Sequence, residues 1–100
     1  MHVISRKRLK EFWEKHPAAK KPMKVWHKLV EDTNFADFNA VKRTFNSADY
    51  AKPFTIFDVG CNNFRVITII HYNRQKVFIR YVLTHAEYDE WGKKYRSNKL

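Results

Sequence analysis

Four side chains of types that handle phosphate groups and protons lie in the second half of the chain. Arg65 and Arg80 fall in segments with the alternating apolar pattern of β-strands, whereas His85 and Tyr88 open a helical segment. Guanidinium groups bind phosphate oxygens, and a histidine paired with a tyrosine can accept and donate protons. His85 and Tyr88 are three residues apart, so they share one helix face. These four residues are therefore candidate catalytic residues for chemistry at a phosphodiester.

The relative position of the two arginines depends on how their strands pair. Antiparallel pairing with Tyr72 opposite Val77 would place Arg65 opposite Thr84. The same pairing would put Arg80 opposite Ile69 and on the sheet face of Arg65, about 13 Å along the sheet at ~3.3 Å per residue. The two side chains could then hold different phosphates of one extended strand. A bulge or an odd-length turn would reverse this parity.

A purely structural role is the alternative for each of these residues. Each arginine could pair with a carboxylate such as Asp58, Glu87 or Asp89. His85 could be satisfied by Asp89, four residues further along the helix, and for His85 alone this is the commoner arrangement. The positive end of the helix favours the neutral imidazole that a general base requires. The functional interpretation rests on all four residues meeting at one end of a basic sheet.

Other kinds of site have weaker support, and we expect neither a metal site nor a cofactor. The five histidines show no HxxxH or HExxH spacing, and the only two glycines cannot form a glycine-rich phosphate loop. Cys61 is the single cysteine, so it forms no internal disulfide. It falls in a predicted turn without a nearby base, which favours a structural thiol.

The charge of the chain is large and uneven. The net charge is +10 over 100 residues, with +7 in residues 1–30, −2 in residues 31–60 and +5 in residues 61–100. A small domain this basic attracts polyanions, and we favour a nucleic acid over an acidic protein or an anionic membrane surface. The candidate RNA-binding residues are Lys93, Lys94, Tyr95, Lys24 and Lys28. The alternative for the lysines of the helices is a solvated face, which is the commoner role of such runs.

The first half of the chain is predicted to be mainly helical. A short strand over residues 2–4 is followed by a helix over residues 6–16 with Ser5 as N-cap, and a second helix begins between residues 18 and 22 and ends near residue 31. A third helix lies within residues 34–46, with Asp37 as its cap. The expected buried residues of the first two helices are Leu9, Phe12, Trp13, Met23, Trp26, Leu29 and Val30.

The second half switches to strand patterns. Residues 54–59, 64–72 and 77–83 are predicted strands of an antiparallel meander, preceded by a polar connection over residues 46–53. Thr84 and Glu87 form a capping box that starts the last helix at His85. We therefore predict one domain over residues 1–100, of the α+β class, with a helical hairpin packed on a small antiparallel sheet.

Two further features bear on location. The longest apolar run is far shorter than the roughly 20 residues that a membrane span requires, so no membrane association is expected. The first residues lack the apolar core and the cleavage site of a secretory signal. Together with the single cysteine, these features favour a cytoplasmic protein.

Several segments resemble one family of bacterial toxins. They are FWEKHP at residues 12–17, SAD at 47–49, NFRVI at 63–67, FIRYV at 78–82 and THAEYD at 84–89. These segments span nearly the whole chain and are similar to those of the HigB-type toxins, members of the RelE-like superfamily of toxin–antitoxin systems. The resemblance assigns family positions to Arg65, Arg80, His85 and Tyr88. One departure is Cys61, where a glycine is expected, and it affects only the geometry of the turn.

The resemblance implies a RelE-like toxin fold and an endoribonuclease that cleaves mRNA, often on the ribosome. It also implies a neutralising antitoxin, commonly a helix-turn-helix, HigA-like protein. A metal-independent ribonuclease must move the proton of a 2′-OH, stabilise the phosphorane charge and protonate a leaving oxygen. The chain offers a candidate for each task. The competing hypotheses are a basic RNA- or DNA-binding module without enzymatic activity and a basic subunit that binds an acidic protein.

Overall fold

The structure is a computed structural model that describes residues 1–100. It contains four α-helices, five β-strands and two short 3₁₀ segments. In chain order the elements are β1 (His2–Ile4), α1 (Arg6–Lys15), a 3₁₀ segment (Pro17–Ala19), α2 (Lys20–Glu31), α3 (Phe38–Thr44), β2 (Asp49–Ala51), β3 (Phe54–Val59), β4 (Phe64–His71), a second 3₁₀ segment (Tyr72–Arg74), β5 (Lys76–Thr84) and α4 (His85–Arg96). The predicted α+β class and the helix hairpin of α1 and α2 are confirmed.

The five strands form one mixed sheet in the order β1-β5-β4-β3-β2. The neighbours β5, β4, β3 and β2 are antiparallel, as predicted for the meander, but β1 runs parallel to β5. The expectation of a purely antiparallel sheet was therefore wrong. β1 and β2 have three residues each, and strands this short owe their pairing to distant backbone partners rather than to a local pattern. β2 lies in the segment predicted to be a polar connection.

The pairing of β4 with β5 also differs from the prediction. Arg65 lies opposite Leu83 instead of Thr84, and the register shifts again between Ile67 and Thr68. Because Ile67 faces Tyr81 and Thr68 faces Ile79, Arg80 has no partner on β4. Arg80 is thus the extra residue of a bulge, a feature that interrupts the alternation of sheet faces. The expectation that Arg80 lies opposite Ile69 was wrong, and its shared face with Arg65 stays a prediction.

Two apolar clusters cover the two faces of the sheet. The larger cluster joins α1, α2 and α3 to one face through residues such as Leu9, Met23 and Val41. The smaller one joins α4 to the other face, where Trp91 packs with Phe54, Ile56 and Ile67. The helix hairpin and the last helix therefore occupy opposite sides of the sheet.

The helix caps and the buried helix residues follow the predicted signals with two exceptions. The side chain of Asp37 caps α3 by accepting a hydrogen bond from the Ala40 N–H at 3.0 Å. Ser5 precedes α1, but its φ of 74° is left-handed and its side chain makes no cap hydrogen bond. Leu29 was predicted to be buried and is 40% exposed, because it lies at the edge of the stripe that α2 turns toward the sheet. No helix has both the length and the apolar character needed to cross a membrane.

Candidate active site

Arg65 is a buried arginine at the start of β4, with only 6% of its surface exposed. Its Nε lies 2.8 Å from Oδ1 of Asp58, which is its direct neighbour on β3. Its Nη1 donates hydrogen bonds to the backbone carbonyls of Asn62 at 2.9 Å and Phe64 at 3.2 Å. The pairing with Asp58 is the structural alternative that the sequence left open. The guanidinium therefore ties together β3, β4 and the turn between them.

That turn is conformationally unusual. Gly60, Cys61 and Asn62 all have positive φ angles, of 68°, 53° and 74°. The left-handed region costs a residue with a Cβ roughly 1–2 kcal/mol, so Cys61 occupies a position that favours glycine. Arg65 holds this turn through the Asn62 carbonyl, and the Asn63 carbonyl accepts a hydrogen bond from the His85 N–H at 3.1 Å. The turn thus connects Arg65 with the start of α4.

Tyr88 begins a stack of aromatic rings that follows α4. The Arg65 guanidinium carbon lies 4.9 Å from the centre of the Tyr88 ring, in a cation–π contact. Trp91 stacks on Tyr88 with 5.9 Å between ring centres, and Tyr95 stacks on Trp91 at 5.4 Å. The Tyr95 hydroxyl donates to the Lys52 carbonyl at 2.8 Å. Spacings of three and four residues align these rings on one helix face, so the stack fixes the position of Tyr88.

The environment of Tyr88 keeps its hydroxyl protonated. Burial raises the pKa of Tyr88 above its ordinary value of 10.0, the nearby Arg65 lowers it, and Asp49, Asp58 and Asp89 raise it further. At neutral pH the side chain is therefore a hydrogen-bond donor rather than a phenolate. Tyr88 can donate a hydrogen bond, or a proton, to an oxygen atom of a ligand.

His85 is the first residue of α4, and its side chain is 57% exposed. The predicted capping box is present: the Glu87 N–H donates to the Thr84 hydroxyl at 3.2 Å, and Glu87 accepts from the Thr84 N–H at 2.9 Å. His85 Nδ1 lies 3.5 Å from Oδ2 of Asp89, which is the second structural alternative that the sequence left open. The opposite ring nitrogen, Nε2, makes no ion pair within the chain.

Arg80 lies apart from the contacts of Arg65. It is exposed, and its backbone carbonyl accepts a hydrogen bond from Nη1 of Arg8 at 3.3 Å. No ion pair involves its side chain. The structure therefore brings Arg65 and Tyr88 into contact and connects His85 to them through the turn, whereas Arg80 is an unpaired cation in the bulge of β5.

The five candidate RNA-binding residues occupy different surroundings. Lys93 is 3.3 Å from Glu90, and Lys28 is 3.1 Å from Asp32, so each has a carboxylate partner on its own helix. Lys94 lines a pocket of about 470 Å³ beside Tyr81, Leu83 and Trp91. Tyr95 belongs to the aromatic stack, and Lys24 lies over Trp13 at 5.7 Å. Only Lys93, Lys94 and Tyr95 are on the helix that carries Tyr88.

A polar cleft beside the start of α4 was not identified from the sequence. It has a volume of about 310 Å³ and lies between α1, β5 and α4. Its lining residues are Arg8, Glu11, Phe12, Lys15, His16, Val82 and Glu87. Arg8, Glu11 and Lys15 are spaced i, i+3 and i+7, which would have marked one polar face of α1. No group of three or more His, Cys, Asp or Glu side chains lies close enough together to hold a metal ion.

Comparison with known proteins gives consistent results. The HigB toxin family, described as the RelE-like toxic component of a toxin–antitoxin system, matches residues 19–91. The chain is similar to the mRNA interferase HigB of Escherichia coli O6:H1 (strain CFT073), with 30% identity over 102 residues that cover 99% of each protein. It is also similar to the mRNA interferase toxin HigB of Escherichia coli K12, with 35% identity over 92 residues, 89% of this chain and 88% of that protein. The mRNA interferase HigB of Shigella flexneri matches with the same figures.

Proposed function

The chain belongs to the HigB toxin family, the RelE-like toxic components of toxin–antitoxin systems, and we infer that it is an endoribonuclease that cleaves mRNA. The observation that carries this inference is similarity along nearly the entire length of relatives named mRNA interferases. The α+β fold is compatible with a RelE-like toxin, and its net charge of +10 suits a polyanionic substrate.

We propose that cleavage uses the 2′-OH of the RNA as its nucleophile. The 2′-oxygen attacks the adjacent phosphorus, the bond from phosphorus to the 5′-oxygen breaks, and a 2′,3′-cyclic phosphate and a free 5′-OH result. His85 takes the proton of the 2′-OH, and Tyr88, which is protonated at neutral pH, donates to the leaving 5′-oxygen. General acid–base steps of this type contribute about 10²–10⁴-fold each. The scheme uses no metal ion or cofactor.

The two arginines have different roles in this proposal. Arg65 fixes the positions of Tyr88 and of the turn at Asn62 and Asn63. It has this positioning role rather than binding phosphate, because its Nε and Nη1 already contact protein groups. Arg80 has no carboxylate partner, so its guanidinium is available to a phosphate. Lys93, Lys94 and Tyr95 extend the RNA contact along α4, since they follow Tyr88 on the same helix. Electrostatic stabilisation of the developing phosphorane charge then comes from the exposed cations.

The partners follow from the toxin–antitoxin family. We propose that a cognate antitoxin, a HigA-like helix-turn-helix protein, neutralises the toxin, and that cleavage takes place on ribosomes in the cytoplasm, where mRNA is translated. A small helix-turn-helix gene next to the gene of this chain would support the antitoxin assignment. Cleavage of naked mRNA at the rate seen with ribosomes would contradict the ribosome requirement without affecting the nuclease assignment.

Controlled induction in growing bacteria tests the function. Expression of the chain should arrest growth within minutes and leave shortened transcripts, and Tyr88→Phe should do neither. Arg74→Ala, at an exposed position in the 3₁₀ segment after β4, is the matched control and should behave as the parent. A binding module without enzymatic activity, or a subunit that only meets an acidic protein, would leave transcripts intact. Intact transcripts in a culture that expresses folded protein would overturn the proposal.

A further inference from the structure

A basic hollow lies between α1 and α2, on the side of the sheet opposite α4. Its volume is about 450 Å³. Six residues line it. Five are basic, and the sixth is aromatic: Arg6, Lys7, Lys10, Lys20 and Lys24 are the basic residues, and Trp13 is the aromatic one. No carboxylate contributes to this lining. We call this feature the basic hollow.

The five basic side chains of the hollow form no ion pairs with carboxylates. The only ion pairs of α1 and α2 join Lys28 to Asp32 and His27 to Glu31, at the C-terminal end of α2. Neither helix has an acidic residue in its first turn, and Arg6, Lys7 and Lys20 stand there instead. The helix dipole favours acids at these positions, so the arrangement opposes helix stability. Five converging, unpaired cations also repel one another.

The shape and the aromatic residue indicate what the hollow accepts. A concave surface of one sign of charge concentrates the electric field and attracts polyanions. Lys24 packs over the Trp13 ring at 5.7 Å, and both residues line the hollow. Trp13 is only 8% exposed, so its ring does not offer a platform for a base. The hollow therefore presents positive charge but no exposed aromatic ring, which suits a phosphate backbone rather than a nucleobase.

We propose that the basic hollow binds the phosphate backbone of RNA at a second site, away from the phosphodiester that is cut. This inference rests on the proposed function, because it takes RNA as the polyanion. The hairpin of α1 and α2 packs on one sheet face, and α4 with Tyr88 packs on the other. The basic hollow and Tyr88 therefore lie on opposite sides of the sheet. The hollow contacts either a distant part of the same mRNA or a folded RNA beside it.

Binding measurements with matched variants test this proposal. The hollow variant combines Lys7→Gln, Lys10→Gln and Lys20→Gln, and the control combines Lys52→Gln, Arg74→Gln and Lys99→Gln, which removes the same charge from exposed positions elsewhere. Fluorescence anisotropy would measure the Kd for a single-stranded RNA of about 20 nucleotides and for an RNA hairpin, between about 50 and 200 mM salt. Thermal unfolding would verify that both variants fold, and the hollow variant should be at least as stable as the parent.

The proposal predicts how the RNA affinity of each variant depends on salt concentration. Each phosphate contact in a single strand contributes about 0.7 to the slope of log K against log salt, so three lost contacts should make the slope shallower by about 2 in the hollow variant. The control should keep nearly the parental slope. A change with the single strand alone assigns the contact to flanking mRNA, and a change with the hairpin assigns it to folded RNA. Equal slopes for the two variants with both probes would overturn the proposal. Cleavage is measured separately, so a protein that binds RNA through the hollow but cuts none would contradict only the nuclease assignment.

Discussion

Replacing Arg65 separates a structural role of this residue from a direct contact with phosphate. Arg65→Ala removes the 2.8 Å pair with Asp58, two hydrogen bonds to turn carbonyls and the cation–π contact with Tyr88. Loss of one partner of a buried ion pair costs about 3–5 kcal/mol. The Asp58 side chain is 24% exposed and can be rehydrated, so the lower end of about 3 kcal/mol applies.

This loss is large for a chain of this size. For a domain of about 100 residues, 1 kcal/mol shifts Tm by about 4–8 °C, so Arg65→Ala should lower Tm by about 12–24 °C. Asp58→Asn keeps an acceptor for Arg65 and should cost less, about 1–2 kcal/mol. The double variant should be more stable than the sum of the two losses indicates, because neither charge is then left unpaired.

Thermal unfolding followed by circular dichroism provides the Tm values, and cleavage would be compared at a temperature where every variant is folded. The control for stability alone is Arg80→Ala, which removes an exposed side chain without an ion pair and should change the free energy of unfolding by less than about 0.5 kcal/mol. If Arg65→Ala shifted Tm by only a few degrees and still abolished cleavage of RNA, the positioning role would be refuted. Arg65 would then act on the phosphate itself.

Three further predictions concern chemistry and pH. Tyr88→Phe keeps the ring stack but removes the hydroxyl, so cleavage should fall about 10²-fold with little change in Tm; an unchanged rate would exclude Tyr88 as the proton donor. A single 2′-deoxy substitution at the cut nucleotide should block cleavage but not binding, and chelation should leave cleavage intact; continued cutting of the 2′-deoxy substrate would contradict 2′-OH attack. Burial lowers the pKa of His27 from its ordinary 6.5, Glu31 raises it and Arg6 lowers it further. Below about pH 6.5 the unfolded chain therefore binds more protons at His27 than the folded chain does. The neutral, folded His27 contributes its full share of stability above about pH 6.5, and this share is lost as pH falls through the folded pKa. In His27→Gln, Tm should decline less between about pH 7 and pH 5 than in the parent, and parallel profiles would contradict this assignment.

Features with a local cause could be predicted from the sequence. The capping box at Thr84 and Glu87 involves groups three residues apart, and the Asp37 cap has the same spacing. Strands β3, β4 and β5 carry continuous apolar patterns, so their extents were predicted to within one residue at most ends. The contact of His85 with Asp89 follows from helical spacing as well.

Features that depend on distant partners could not be predicted in the same way. The bulge at Arg80 has no signature in the alternation of β5, and it shifts the register by one residue between Ile67 and Thr68. The pairing of Arg65 with Asp58 was one of several alternatives, because which carboxylate lies beside Arg65 depends on the register of β3. The basic hollow requires the approach of α1 and α2, whereas the sequence shows only two separate runs of lysines.

The contacts of Arg65 bear on which residues supply positive charge to the phosphodiester. An arginine that is 6% exposed and paired with a carboxylate contributes little net charge to a phosphate outside the protein, because Asp58 offsets it. Arg65 has a positioning role, since it contacts both the left-handed turn at Asn62 and the ring of Tyr88. In the proposed function, positive charge for the phosphodiester comes from exposed, unpaired groups such as Arg80 and Lys94. Exposed charges are screened by salt over about 8–10 Å, so RNA binding should weaken steeply with ionic strength while the buried pair keeps Tyr88 in place. High salt should therefore raise KM far more than it lowers kcat, and a fall in kcat alone would mean that the arrangement around Arg65 is itself sensitive to screening.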